Sequence, residues 1–544
     1  MDYSQDNFLD LLRELNEIGI ALSAEKDQDN LLEMILLKAM EITHADGGTL
    51  YSKTEDQRLK FEILHNQSLN IHMGGASGKE IGFYPIKLYD EKGNANDHMV
   101  ASWTAITGET KNIEDAYASK EFDFSGTRDF DKKTGYRSIS FLTVPMKDHE
   151  NEIIGVLQLI NKKDNKSGDI MAFSQLDQQV VESLASQAAV TITKKNLIDA
   201  QRNLFDSFIQ LIADAIDEKS PYTAGHCRRV PIITSMLADA VNRIDRGPLK
   251  DFSMNEDEKY ELEVAAWLHD CGKITTPEYV VDKGTKLETI YDRVNEIDMR
   301  VEVLRRDAII NFLKAKLKEF DNNNDIDMAI RESSELQSQL EELENARRDV
   351  RQYNVGGESL QQTDIERIEH IAEYTWQDAA GETRHLLDDE EKQNLEIGRG
   401  TLTMREREII NNHVSVSIKM LESLPYPKHL RRVPEFAGGH HEKIDGTGYP
   451  NKLTGDQMSL QARIVAIADV FEALTASDRP YKKAMPLSQS LQILGQMKVD
   501  KHIDGDLFDI FINEKIYLDY AAQFLEDSQV DDINFDAIPG YTPL

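Results

Sequence analysis

Val264-Ala265-Ala266-Trp267-Leu268-His269-Asp270-Cys271-Gly272-Lys273 ends an apolar helical stretch on an imidazole followed by a carboxylate. An adjacent His and Asp offer a neutral nitrogen ligand and an anionic oxygen that can bridge two cations. A carboxylate inside an apolar element is costly unless it is paired or bound to a metal. Asp469 repeats the argument in sharper form, inside Ile464-Val465-Ala466-Ile467-Ala468-Asp469-Val470-Phe471. Further along stand His440-His441, and His413 in a helix opened by Thr403-Met404-Arg405-Glu406, a capping-box pattern. His226 follows the turn-forming Ser220-Pro221-Tyr222-Thr223-Ala224-Gly225. Each of these taken singly reads as a structural or surface residue. Together they make a nitrogen and oxygen donor set without a thiolate, which suits Mn, Fe, Ni or Zn better than a soft metal.

The rest of the composition frames that set. A chain of 544 residues is too long for one hydrophobic core, so two to four domains are expected. The formal net charge of −35 repels nucleic-acid backbones and anionic lipid, so no nucleic-acid partner is expected. An anionic small molecule remains compatible with it if bound cations reverse the local sign. Cys227 and Cys271 are the only cysteines and make no disulfide framework, which fits a reducing compartment. The two are read as small buried thiols rather than as a redox pair. The polar start Met1-Asp2-Tyr3-Ser4-Gln5-Asp6 is unlike a signal peptide, and no apolar run approaches the ~18 residues of a membrane span. A cytoplasmic protein without a membrane partner is expected.

Periodicity divides the chain. Phe8, Leu11, Leu12, Leu15, Ile18 and Leu22 recur at helical spacing over 5–24, and a second helix covers 29–43. Segments 48–52, 59–65, 138–147 and 152–162 read as strands, the last two joined by the turn Asp148-His149-Glu150-Asn151. Between them, 66–137 reads as loops with short elements. From 174 to 219 the pattern is helical again, with Leu176, Val180, Leu184, Ala188, Val190 and Leu197 as an apolar stripe. That stripe suits either a connector and dimer seam or, for its first half, packing on its own domain. Beyond 205 nearly everything reads helical. Segment 285–400, with Ile326, Ile330, Leu336, Leu340 and Leu343 and breaks at Asn322-Asn323-Asn324 and Gly356-Gly357, lacks the ligand-type motifs and reads as an inserted helical hairpin or antiparallel coiled coil.

His226, His269-Asp270-Cys271-Gly272-Lys273, His413, His440-His441-Glu442-Lys443-Ile444-Asp445-Gly446-Thr447-Gly448-Tyr449-Pro450 and Ile467-Ala468-Asp469 follow in order the signature of HD-GYP domains, which they closely resemble. Ala473-Leu474-Thr475-Ala476-Ser477-Asp478-Arg479-Pro480-Tyr481-Lys482 resembles the same family, and the likeness covers about 205–290 and 400–515. The resemblance implies an all-helical fold and hydrolysis of cyclic di-GMP to pGpG, or onward to GMP. It implies His226, His269, Asp270, His413, His440, His441 and Asp469 as ligands of two divalent metal ions, Fe or Mn first and Ni, Zn or Mg as alternatives. Asp270 would bridge them, and a water between such cations is activated for attack on a phosphodiester. Some members hold a third metal through a Glu four residues before the first His. Tyr222 stands there in this chain, so two metals are expected. Lys273 would act on the scissile phosphate, and Tyr449, Arg479 and Lys482 would contact substrate. The family's short link after Gly272-Lys273 is replaced here by 140 residues before His413, with its usual Leu-Thr-x-x-Glu element at Leu402-Thr403-Met404-Arg405-Glu406, so 290–400 looks inserted. A catalytically weak cyclic-dinucleotide receptor and a hydrolase of hybrid cyclic GMP-AMP are the alternatives.

Phe141-Leu142-Thr143-Val144-Pro145-Met146 and Ile153-Ile154-Gly155-Val156-Leu157-Gln158-Leu159-Ile160-Asn161-Lys162 closely resemble a GAF domain, which implies an antiparallel sheet with flanking helices and a sensory role. Asn161, Lys162, Phe173 and Asp177 partly match the cyclic-nucleotide-binding pattern of that family, with Gln178 in place of its Glu. Another small-molecule ligand or a dimerisation role are the other readings. The expectation is therefore a multidomain α+β homodimer: an N-terminal helix at 1–25, a GAF domain at 26–195, a connecting helix at 175–219, an HD-GYP domain at 205–525 with a helical insertion at 290–400, and a tail at 526–544.

Overall fold

The computed structural model describes residues 5–25, 27–219, 225–317, 330, 332–357, 360–477 and 485–543. Among the residues quoted above, those at 1–4, 220–224, which include Tyr222, 322–324, 326 and 478–482, which include Arg479 and Lys482, lie outside those described. The fold is multidomain α+β, in two units, 1–204 and 205–544. Among the described residues no helix is long and apolar enough to cross a membrane.

The first unit is built on a sheet whose strands run in the order Ile71–Gly74, Arg58–Asn66, Ala45–Lys53, Ile153–Lys163, Phe141–Lys147 and Lys111–Ile113, each antiparallel to its neighbours. Side chains alternate between its faces, as a strand period of two requires. Leu50 and Leu157 enter the core beneath the helix Gln28–Thr43 and the start of the helix Gln175–Lys219, with Leu36, Ile63, Leu142, Leu159 and Leu184. Their neighbours Tyr51 and Val156 point the other way, against Ala101 and Ala105 of the helix Val100–Thr107. The long helix divides its apolar residues. Leu184 and Ala188 join the core on the sheet and Val180 is buried, whereas Val190 and Leu197 are exposed.

The residues that match the cyclic-nucleotide pattern are engaged within this unit. Asn161, at φ 57°, accepts from the Ile139 backbone N–H at 2.7 Å and donates to the Arg137 carbonyl at 2.8 Å. Lys162 pairs with Asp177, which also accepts from the Ser174 backbone N–H at 2.6 Å. Phe173 is buried in the core.

The second unit carries two separate cores. The larger packs the helices His226–Arg243, Glu256–Leu268, Leu460–Thr475, Leu487–Val499, Gly505–Asn513 and Ile516–Phe524 around Val230, Leu237, Ala265, Ile464, Phe471 and Phe511. The C-terminal stretch packs on this core through Ile538, and Gln529 donates to the Thr475 carbonyl at 2.8 Å. The smaller core joins Leu287, Ile297, Val301, Leu343, Val350, Ile368, Leu387 and Leu395. It is more than a hairpin. The helices Val294–Leu317 and Ser334–Asn354 are joined by Gln362–Ala372, Asp389–Leu395 and a two-stranded ribbon of Thr375–Gln377 and Thr383–His385. Short polar strands in a charged segment carry little periodicity, which is why the ribbon is not visible in the sequence pattern.

The buried Lys283 ties the chain entering the smaller core to the chain leaving it. Its ammonium donates to Asn394 at 2.8 Å and to both oxygens of Glu406 at 2.9 Å. Glu406 closes a capping box with Thr403 at the start of the helix Met404–Glu422.

Leu157 fills the centre of the first unit without solvent exposure. Leu157→Ala is expected to lower the stability of that unit by about 2–5 kcal/mol, read by urea denaturation of the full chain.

Candidate metal centre

Helix caps and closely packed glycines bring the candidate ligands together. The helix Glu256–Leu268 starts in a capping box between Asn255 and Glu258 and ends on His269, whose backbone is still helical; the chain then tightens into the turn Cys271–Thr275. Lys219 holds that turn by donating to the carbonyls of Lys273, Ile274 and Thr276 at 3.2, 2.6 and 2.6 Å. The turn lies flat on the helix Met404–Glu422. A Cβ on Gly272 would stand 2.0 Å from the His413 carbonyl oxygen, and the Gly272 N–H donates to the Ser417 hydroxyl at 2.8 Å. Only glycine permits that approach, which sets Asp270 beside His413. His226 heads the helix His226–Arg243 after Gly225, at φ 81°. Ser459 caps the helix Leu460–Thr475 that carries Asp469.

Asp270 stands at the middle of the cluster, 1% exposed. Its Oδ2 lies 3.3 Å from His226 Nε2, 3.2 Å from His269 Nε2 and 2.6 Å from Lys273 Nζ. Its Oδ1 lies 3.1 Å from His413 Nε2 and 3.9 Å from His440 Nε2. One carboxylate thus touches two sets of imidazoles, one oxygen to each. Asp469 Oδ1 lies 3.3 Å from His226 Nε2 and 3.8 Å from His269 Nε2. The ligand atoms of His226, His269 and Asp270 fall within 4.8 Å of one another, and so do those of His413, His440 and His441.

The rings are oriented by their other nitrogen. His269, His413 and His440 each place Nδ1 on a carbonyl three residues back, those of Ala266, Ile410 and Ala437, so the Nε2 atoms converge. His226 Nδ1 instead meets Glu472, a residue outside the motifs. Glu472 stands three residues after Asp469 and so on the same helix face, which is the one signal for it in the sequence.

A cation suits this set. Asp270 Oδ1, His413 Nε2 and His440 Nε2 are buried without a hydrogen-bond partner, although the first two lie 3.1 Å apart. Leaving such atoms unsatisfied costs about 1–3 kcal/mol each, and convergent neutral nitrogens with an anionic oxygen are what a divalent ion needs. Burial pushes His441 down to about 4 and holds His440 well below its ordinary value, so both rings stay neutral and able to ligate. Burial pushes Asp270 up, but Lys273 and His269 more than reverse it and hold the carboxyl well below the usual range. Burial likewise pushes Lys273 down, and Asp270 more than restores it, so Lys273 is an ammonium.

The loop after His441 is built around a second buried carboxylate. Glu442 accepts from the backbone N–H of Asn451 at 2.6 Å and of Leu453 at 2.9 Å. A Cβ on Gly448 would lie 2.4 Å from the Lys443 nitrogen. The closed loop stacks the Tyr449 ring on His441, centroids 4.8 Å apart and planes 25° from parallel.

Residues 27–192 match a family model described as GAF domain, and residues 223–354 and 390–507 match two models described as HD domain. The chain is 43% identical over 109 residues to a 3'3'-cGAMP-specific phosphodiesterase 3 of Vibrio cholerae, covering 20% of this chain and 23% of that one. It is 44% identical over 80 residues to a 3'3'-cGAMP-specific phosphodiesterase 1 of the same organism, covering 15% and 18%. It is 36% identical over 113 residues to a cyclic di-GMP phosphodiesterase of Pseudomonas aeruginosa, covering 21% and 26%. The chain thus spans between 18 and 26% of the length of these relatives.

Gly272→Ala is expected to push the Cys271–Thr275 turn off the helix Met404–Glu422. A loss of about 1–3 kcal/mol in stability should appear in thermal unfolding, and added Mn²⁺ should raise the melting temperature less than in the parent chain.

Proposed function

We propose that this chain, which carries a GAF domain followed by an HD domain, is a metal-dependent phosphodiesterase that hydrolyses cyclic di-GMP to pGpG, or onward to GMP, under control of the GAF domain. The observation that carries the reading is Asp270, with one oxygen toward His226 and His269, the other toward His413 and His440, and the Lys273 ammonium alongside. Two divalent cations, Fe or Mn by the donor set, would be held by His226, His269, Asp270, His413, His440, His441 and Asp469, and would supply charge neutralisation and Lewis-acid polarisation of the phosphodiester.

The remaining roles belong to the chain. Lys273 is positioned to shift from Asp270 to a phosphoryl oxygen, where its charge offsets that of the transition state. Glu442 and Gly448 hold the loop that sets Tyr449 on His441, and Tyr449 offers a flat wall against which a base can stack. Arg479 and Lys482 are assigned to substrate phosphate or guanine on the motif alone. Asn161, Lys162, Phe173 and Asp177 are engaged in internal contacts, so we assign them to the integrity of the GAF domain and leave its ligand to another surface. Segment 290–400 is read as an insertion on the strength of its own core. The free buried thiols Cys227 and Cys271 fit a reducing compartment, and we infer a cytoplasmic site of action.

Hybrid cyclic GMP-AMP is the second substrate reading, favoured by the two relatives named for it. Incubation of the Mn-loaded chain with each cyclic dinucleotide, followed by chromatography, separates the readings. Cleavage of cyclic di-GMP at the higher kcat/KM is expected, and the His269→Ala, Asp270→Ala variant should lose at least about 10³-fold. Preference for the hybrid would move the assignment to the second reading. Binding of both without cleavage would make the chain a receptor.

We also infer a homodimer. Val190, Leu197, Leu204 and Leu211 stand one heptad apart on the helix Gln175–Lys219 and are each more than half exposed, and Phe208 extends the stripe. A parallel pairing of two copies would set each residue against its counterpart. Light scattering is expected to give the mass of two chains, and of one chain after Leu197→Asp and Leu204→Asp together.

A further inference from the structure

His226 is held unlike His269, His413 and His440. His269, His413 and His440 rest Nδ1 on backbone carbonyls of their own segments. His226 is the first residue of its helix, and its Nδ1 is met by the Glu472 carboxylate from the helix Leu460–Thr475. Glu472 is 1% exposed, and its second oxygen accepts from Arg229 Nε at 2.6 Å. Arg229 lies three residues after His226 on the same helix. The three side chains therefore form a closed chain between two helices, ending on the imidazole nitrogen that does not face the centre.

We propose that Glu472, steadied by Arg229, is a positioning residue that turns His226 Nε2 toward Asp270 and Asp469 and strengthens it as a donor to the cation on that side. The inference rests on the reading of the cluster as a metal centre. An imidazole whose Nδ1–H is bonded to a carboxylate is fixed in one tautomer and made a stronger ligand through Nε2, which a neutral backbone carbonyl does less well. Arg229 is required because a buried carboxylate facing one imidazole alone would be poorly compensated. The two halves of the centre are then unequal. Asp270 Oδ2, Asp469 and Glu472 all stand on the His226–His269 side, while the other side presents the imidazoles of His413, His440 and His441 to Asp270 Oδ1.

The test is calorimetric titration of the chelator-stripped full chain with Mn²⁺, without substrate. The parent chain is expected to bind in two steps. Glu472→Gln should weaken one of them by about 10–100-fold and leave the other in place. Made in a His226→Ala background, the same change should have no further effect, because its action runs through that ring. Unchanged affinity in Glu472→Gln would overturn the inference, and so would an equal loss with and without His226, which would mean that Glu472 serves the packing of the two helices instead. Should Glu472→Gln not fold, the Glu472→Gln, Arg229→Gln pair removes both buried charges and gives the same readout. A parent chain that binds no Mn²⁺ would instead remove the metal reading itself.

Discussion

The carboxylate of Asp270 is the constraint on which the second unit depends. It is buried between four imidazoles and one ammonium, at the junction of elements more than 100 residues apart in the chain. An anion taken out of water is tolerated only when its surroundings return the lost solvation. The helix ending in His269, the helix carrying His413 and the helix carrying Asp469 are each capped at their starts, and their packing puts that return where the charge is. The same arrangement leaves Asp270 Oδ1 and two imidazole nitrogens without partners, which is the mark of a site shaped for a cation rather than for the protein's own hydrogen bonds.

Fit at this point is governed by backbone contact. Gly272 lets the turn after Asp270 touch the His413 helix, and Gly448 lets the loop after His441 fold back onto Glu442. A side chain at Gly272 would part Asp270 from His413, now 3.1 Å apart, and one at Gly448 would push the Tyr449 loop away from Glu442. Lys219, Glu442 and Glu472 perform the corresponding work with charge, each fixing a segment whose free end carries a functional group.

Much of this was legible in the sequence because the chemistry is unusual there. A His-Asp pair at the end of Val264–Leu268 and an Asp within Ile464–Phe471 contradict their apolar surroundings, and the contradiction marks the residues. The strands 141–147 and 153–163 were legible for the opposite reason, since dense β-branched and alternating residues leave little choice. Glu472 escaped because a glutamate on a helix is ordinary until the partner ring, 246 residues away, is known. Val190 is exposed beside the packed Ala188, Ala189 and Ile192 because it stands on another face of the long helix, and which apolar face is covered depends on the sheet beneath it. The ribbon at 375–385 is short and polar, with every strand residue but Trp376 exposed, so neither its pairing nor its packing leaves a period to read.

In the proposed centre one carboxylate, that of Asp270, would join two cations. Crystals of the full chain grown with Mn²⁺ and measured at the manganese absorption edge test it directly. Two anomalous peaks, one against each oxygen of Asp270 with His226 and His269 on one side and His413, His440 and His441 on the other, are predicted. A single peak, or two peaks neither of which touches Asp270, would contradict it.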